Sequence, residues 1–161
     1  MIESLCLETP FGSIQLRALA DCIVSVDFIN MPPAFNTTDN PVLLRARQQL
    51  EAYCAHADAG FDLPLQLRGT EFQQRVWQAL CDIPAGEVRT YGDLAELLES
   101  SPRAIGGACR ANPAPIIVPC HRVVSRRGMG GYSGETTGVN IQVKQGLLRH
   151  EGVEIRLHGH T

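Results

Sequence analysis

The sequence predicts an α+β protein in two parts, a strand-rich segment over residues 1–66 and a mainly helical segment over residues 67–161. Three observations predict it. Apolar runs of strand length crowd the first 30 residues, and helical start signals recur from residue 40 onward. The charge balance also changes: residues 1–66 carry 3 basic against 8 acidic groups, and residues 67–161 carry 11 against 9.

Each element has a local reason. Ile2–Leu7 and Ile14–Leu19 read as strands joined by a hairpin connection at Thr9-Pro-Phe-Gly-Ser13, and Cys22–Ile29 is a third strand after a turn at Ala20-Asp21. Asn40 is placed to cap a helix whose first position is Pro41, with Val42, Ala46, Leu50 and Tyr53 at helical spacing toward Ala57. Leu63–Arg68 reads as an extended linker. Thr70-Glu-Phe-Gln73 is a capping box opening a helix with Phe72, Val76 and Leu80 on one face, ended by Ile83-Pro-Ala-Gly86. Thr90, with Asp93 three residues on, opens the next helix, whose expected buried side is Leu94, Leu97 and Leu98. Ser100-Ser-Pro102 then caps a third helix running through Asn112. Ile116–Val118 reads as a buried strand.

A chain of 161 residues with 44% hydrophobic and 19% charged residues has the apolar material for a packed interior, which excludes a disordered polypeptide. No apolar run reaches the ~18–20 residues of a membrane span, and Met1-Ile-Glu-Ser-Leu-Cys6 has no basic stretch of a secretion signal. A cytoplasmic protein without membrane contact is expected. In that compartment the six cysteines should be reduced, at least four of them serving as core filler.

The net charge of −3 conceals a basic stretch. From Ser100 to Gly134 there is no Asp or Glu, while Arg103, Arg110, Arg122, Arg126 and Arg127 all fall there. Arginine makes planar, multidentate contacts to phosphates and base edges. The third helix, Arg103-Ala-Ile-Gly-Gly-Ala-Cys-Arg-Ala-Asn112, is built largely of small residues, and each glycine costs a helix roughly 1 kcal/mol relative to alanine. Two helices joined by a short turn have the helix-turn-helix layout, and a lean helix flanked by arginines suits a groove as narrow as the minor groove, ~6 Å. In the same stretch, Pro119-Cys120-His121-Arg122 places a thiol beside an imidazole at the end of an apolar run. A histidine that activates a thiol needs an orienting acceptor, for which Glu151 is the candidate.

Pro119-Cys-His-Arg-Val123, preceded by Ala111-Asn-Pro113 and followed by Gly131-Tyr-Ser-Gly134 and Leu147-Leu-Arg-His-Glu-Gly152, resembles the O6-alkylguanine-DNA alkyltransferases, or methylated-DNA–protein-cysteine methyltransferases. The likeness covers residues 67–161. It implies a ribonuclease-H-like N-terminal supporting domain at 1–66 and a winged helix-turn-helix-like domain at 67–161 carrying DNA binding and the active site. It implies single-turnover transfer of an alkyl group from O6-alkylguanine, or O4-alkylthymine, in duplex DNA to Cys120, with no cofactor. In this likeness His121 takes the thiol proton through a water, Glu151 orients His121, and Asn112 braces the turn. Arg103 fills the gap left by the flipped base, Tyr91 lies at the target phosphate and Arg110 on the DNA-binding helix. Tyr132, Ser133 and the backbone of Val123 hold the flipped guanine.

The chemistry agrees with these roles. Displacement at a saturated carbon suits a soft thiolate, the leaving guanine needs a donor such as the Tyr91 hydroxyl, and nothing in the motif would cleave the thioether product. The loop at 135–143 is about five residues longer than the family pattern leads one to expect. With no histidine in the first 55 residues, no zinc site is expected. A monomer is expected. The rival readings are a cysteine hydrolase, a helix-turn-helix regulator and a non-catalytic lesion-sensing protein.

Overall fold

A computed structural model describes residues 1–34, 36–126 and 140–154. Within them the chain is mixed α/β and divides into two compact units, Met1–Arg68 and Gly69–Thr161. No helix among the described residues is long and apolar enough to cross a membrane.

In the first unit, β1 (Ile2–Thr9), β2 (Gly12–Leu19) and β3 (Cys22–Ile29) form an antiparallel sheet in sequence order. Two-residue turns set the register, with Leu5 opposite Leu16 and Leu16 opposite Val26. Gly12 closes the first turn at φ +135°, a conformation that side chains oppose. On β2 every second residue, Ile14, Leu16 and Ala18, is fully buried, the period of a one-faced strand. The helix α1 (Pro41–Ala55) packs against the sheet, burying Val42, Leu43, Ala46, Leu50 and Tyr53. Its cap is also its anchor: Asn40 Oδ1 accepts from the Val42 and Leu43 amides (2.9 and 3.3 Å), while Nδ2 donates to Glu3 and to the Ala20 carbonyl (3.0 Å each).

Each edge strand is paired at one residue. On β1 the Asn36 side chain accepts from the Cys6 amide (2.6 Å) and donates to the Cys6 carbonyl (2.9 Å). On β3, Ile23 donates to Pro64 and accepts from Gln66 (2.8 and 2.9 Å), giving a parallel bridge between Ile23 and Leu65. The stretch expected as a free linker is therefore partly an edge strand, because an open edge would leave backbone groups unpaired.

The second unit begins with α2 (Glu71–Cys81), opened by the expected capping box of Thr70 and Gln73. Its buried residues are Val76, Trp77 and Leu80, whereas Phe72 is only half-buried. Trp77 goes inward because its indole N–H donates to the Ala108 carbonyl at 2.9 Å. Next come β4 (Arg89–Thr90) and α3 (Tyr91–Leu98), the latter opened by the Thr90–Asp93 capping box. Its buried residues are Leu94 and Ala95, and the expectation for Leu97 and Leu98 is corrected. Leu97 is 68% exposed and lines a surface groove with Leu98, Arg75 and Gln78.

Glu99, in the left-handed region, ends α3, and three residues lead to α4 (Pro102–Arg110), capped by Ser101. This helix ends at Arg110, two residues before the expected Asn112. The short strand β5 (Val123–Val124) pairs in parallel with β4, setting Thr90 beside Val124. The last helix described is α5 (Ile141–His150).

Two further expectations are corrected. Ile116–Val118 is a turn and not a strand, with Ile116 at φ +76° and a bridge between Pro115 and Val118. The cysteines are free, but only Cys6, Cys109 and Cys120 are buried, so fewer than four fill the interior. Cys81, the last residue of α2, is exposed.

Candidate active site

Cys120 is built into a constrained piece of backbone. Pro119 sits at φ −82°, ψ 68°, the geometry of an inverse γ-turn, and the Cys120 amide donates across it to the Val118 carbonyl at 2.8 Å. A 3-10 turn, Cys120–Arg122, follows at once, so His121 is not in the extended segment its neighbours suggest. Asn112 stitches this loop from the inside. Its Nδ2 donates to the Val118 carbonyl (2.8 Å) and its Oδ1 accepts from the Ala114 amide (2.9 Å), both bonds buried. Two short loops are thereby locked around one side chain, and the left-handed Ile116 lies between the tied points.

Glu151 arrives at the same place from α5. His150-Glu-Gly-Val153 forms a Schellman ending: Gly152, at φ +84°, donates to Arg149 (3.0 Å) and Val153 donates to Leu148 (2.8 Å). Val153 packs on the buried Leu148 and Val124, which completes the motif. The cap residue Glu151 is turned inward, its carboxylate fully buried. There Oε2 is 2.8 Å from His121 Nε2. Arg122 grips both oxygens, Nε on Oε1 and Nη2 on Oε2 at 2.9 Å each, and its Nη1 donates to the Ile83 carbonyl at 2.6 Å. The Gly86 amide, aimed by a left-handed turn, lies 3.5 Å from Oε1.

This geometry decides the protonation of His121. A carboxylate held by an arginine is ionised and only accepts, so Nε2 carries the hydrogen and Nδ1 is the basic atom. Nδ1 is the one buried side-chain nitrogen or oxygen without a hydrogen-bond partner among the described residues. Burial pushes the His121 pKa down, Glu151 pulls it up, and Arg122 and Lys144 push it down again, leaving it below the usual histidine value. His121 is thus neutral at pH 7 and able to take a proton.

Lys144 is the residue the sequence reading missed. It lies on α5 three and four residues before Leu147 and Leu148, and it is fully buried with them. Nζ donates to the Val123 carbonyl at 2.6 Å, lies 3.5 Å from the Tyr91 hydroxyl, and stands 5.7 Å from the centre of the Tyr91 ring. Burial lowers its pKa to about 8, against the opposing pull of Cys120 and Cys109. Its position on the apolar stripe of α5 was the available signal. For Tyr91, burial pushes the phenol pKa well above its ordinary value, so the hydroxyl stays protonated.

The expected residues therefore separate. Cys120, His121, Glu151 and Asn112 come together, and Tyr91 and Val123 join them through Lys144. Arg103 and Arg110 stand exposed on α4, where the Arg110 guanidinium lies over Gly106 and Gly107. Arg122 leaves the basic surface expected of it: it is 9% exposed and committed to Glu151. Tyr132, Ser133 and residues 135–139 of the long loop lie outside the described residues. No group of three or more potential metal ligands gathers among the described residues.

The chain matches the family model described as 6-O-methylguanine DNA methyltransferase, DNA binding domain, over residues 71–153. It is 38% identical over 160 residues to the constitutive methylated-DNA–protein-cysteine methyltransferase of Bacillus subtilis, covering 92% of this chain and 94% of that one. With the methyltransferase of the same name from Mycolicibacterium paratuberculosis it shares 40% identity, over 94% and 93% of the two chains. In structure it resembles the O6-methylguanine methyltransferase of Mycobacterium tuberculosis, with a TM-score of 0.77, 36% identity and 94% and 93% coverage. A complex of the M. tuberculosis protein with DNA gives a TM-score of 0.76 at 37% identity, over 92% of each chain. Likeness of this extent, spanning the helices of the second unit and the Cys120 loop, places the chain in the methylated-DNA–protein-cysteine methyltransferase family.

Proposed function

We propose that this protein repairs alkylated duplex DNA by transferring the alkyl group from O6 of a guanine to the sulfur of its own Cys120, once per molecule. The observation that carries the reading is the buried Glu151–His121 pair, with Nδ1 left as the base in the residue next to the only thiol of the Pro-Cys-His motif. His121 takes the Cys120 proton through a water. The thiolate then forms a bond to the alkyl carbon as the carbon–O6 bond breaks, and the electron pair passes to the guanine. Tyr91, held protonated by burial, donates a proton to the departing base, and Lys144, 3.5 Å behind that hydroxyl, balances the charge left on it. Nothing in the Pro-Cys-His motif would cleave the thioether, so the protein is consumed.

DNA engagement is assigned to the α3–α4 pair acting as a helix-turn-helix, with winged character from the β4–β5 pair. Adding a Cβ at Gly106 or Gly107 meets no atom of this chain closer than 3.7 Å. Packing within the protein therefore does not require glycine there, which supports close approach of a partner to this face, with the Arg110 guanidinium beside it. Arg103 enters the stack in place of the flipped base, Arg110 contacts backbone, and Tyr132, Ser133 and the Val123 backbone hold the base. The first unit is read as a ribonuclease-H-like support, and the protein as a cytoplasmic monomer acting on double-stranded DNA.

The test is intact-protein mass spectrometry after mixing with excess duplex carrying one O6-methylguanine, followed by peptide mapping. One methylene mass on the Cys120 peptide, saturating at one per molecule and absent from Cys120→Ala, is the expected result. An unchanged mass with DNA still bound would leave a lesion-sensing protein.

A further inference from the structure

We infer that Arg122 is a positioning residue for the reaction, which fixes His121 in the tautomer with hydrogen on Nε2 and sets the pH below which His121 stops accepting a proton. The inference rests on the proposed alkyl transfer and deepens it. Arg122 is the hub of the site: one guanidinium spans Glu151 Oε1, Glu151 Oε2 and the Ile83 carbonyl at 2.9, 2.9 and 2.6 Å. A fork of this kind leaves the carboxylate a single orientation, and at Oε2 the Arg122 Nη2 and His121 Nε2 meet on one oxygen. Without the fork, the Glu151 side chain could turn about its terminal bond and meet His121 through either oxygen.

The charge matters as much as the geometry. Burial does most to keep His121 neutral, while Glu151 pulls its pKa up. Arg122, 2.9 Å from that carboxylate, pushes the His121 pKa back down. The charged and titratable groups facing this cluster are Glu151 at the end of α5, Lys144 one turn and more before it, and Arg122 itself. Cys81, at the end of α2, faces Arg122. Arg122 both touches the carboxylate and opposes its effect on the imidazole.

The experiment uses the full chain with the O6-methylguanine duplex, reading single-turnover rate from pH 5 to 9 and the His121 tautomer by nitrogen NMR. In R122M the acid limb of the rate profile is expected to move up by ~1 pH unit, the size of effect one neighbouring charge produces. In R122K, which keeps the charge and loses the fork, the limb stays and the plateau falls by about tenfold, as small misplacement of a catalytic group costs up to ~100-fold. Wild-type protein shows the Nε2–H tautomer. An R122M profile with the wild-type limb, or a wild-type tautomer with hydrogen on Nδ1, overturns the inference. Should R122M not fold, R122K decides: a wild-type plateau and tautomer overturn it, and a reduced plateau at an unmoved limb supports it. Failure of the alkyl-transfer reading itself is separate, since it would show as wild-type protein gaining no mass.

Discussion

Replacing Lys144 with methionine separates stability from reactivity. The side chain is fully buried, and the fall of its pKa from 10.5 to about 8 corresponds to about 3 kcal/mol of penalty for keeping it charged. Against that stands one charge-assisted hydrogen bond to the Val123 carbonyl at 2.6 Å, worth about 1.5–3 kcal/mol. Methionine is close in length, removes the penalty and forfeits the bond. The two nearly cancel, so Lys144→Met should unfold in urea within about 2 kcal/mol of wild type at pH 7. Reactivity should not cancel. Cys120 raises the Lys144 pKa, and by reciprocity the ammonium favours the Cys120 thiolate. Losing that charge disfavours the thiolate, so transfer from an O6-methylguanine duplex should slow about 10- to 100-fold at pH 7.

The pH dependence has a definite sign. The folded pKa is depressed, so between about 8 and 10.5 the unfolded chain binds the extra proton, and the Lys144 contribution to stability rises with pH across that window. The same deprotonation removes the rate advantage over Lys144→Met above about pH 8. Paired urea curves and single-turnover rates at pH 7 and 9 read both. Wild-type speed in Lys144→Met at pH 7 would refute the argument, and a loss above about 4 kcal/mol would make the lysine a structural tie.

Three further substitutions test other links. Gly107→Ala puts a Cβ at 3.9 Å from Arg110 and should stabilise α4 by about 1 kcal/mol while weakening DNA binding, and unchanged affinity in a salt titration would detach the glycine face from DNA. Asn112→Ala removes two buried hydrogen bonds and should cost about 2–3 kcal/mol in urea together with much of the transfer rate; full activity would mean the Cys120 loop holds itself. Arg103→Ala should slow transfer from duplex far more than from the free alkylated base, because only the duplex requires a substitute for the lost stack. Equal slowing in the two substrates would remove that role.

Where the determinants lie within a few residues of one another, the sequence alone was sufficient. Asn40 with Pro41, Thr70 with Gln73, and Thr90 with Asp93 opened α1, α2 and α3 where capping chemistry requires, since a cap bonds amides two or three positions on. The three strands and their turns followed from alternation. The Pro-Cys-His motif singles out Cys120, and Glu151, the acceptor expected for His121, lies 2.8 Å from its Nε2. What failed was the choice of buried face on short helices. Leu97 and Phe72 have the spacing of core residues, but an eight-residue helix and an indole seeking the Ala108 carbonyl turned Ala95 and Trp77 inward instead.

Only the tertiary structure decided the roles of Arg122 and Lys144. As sequence, Arg122 belonged to a basic stretch and Lys144 carried no assignment. In the fold, Arg122 meets a carboxylate 29 positions away and Lys144 meets a carbonyl 21 positions away, and both leave water to do so. The ending of Ile116–Val118 as a turn has the same origin, because its apolar run was opposed by a single Asn112 bonded across it. Local hydrogen bonding and hydrophobic period are written along the chain; the desolvation of a charge is repaid only by a partner that folding brings to it, and that partner is visible in three dimensions alone.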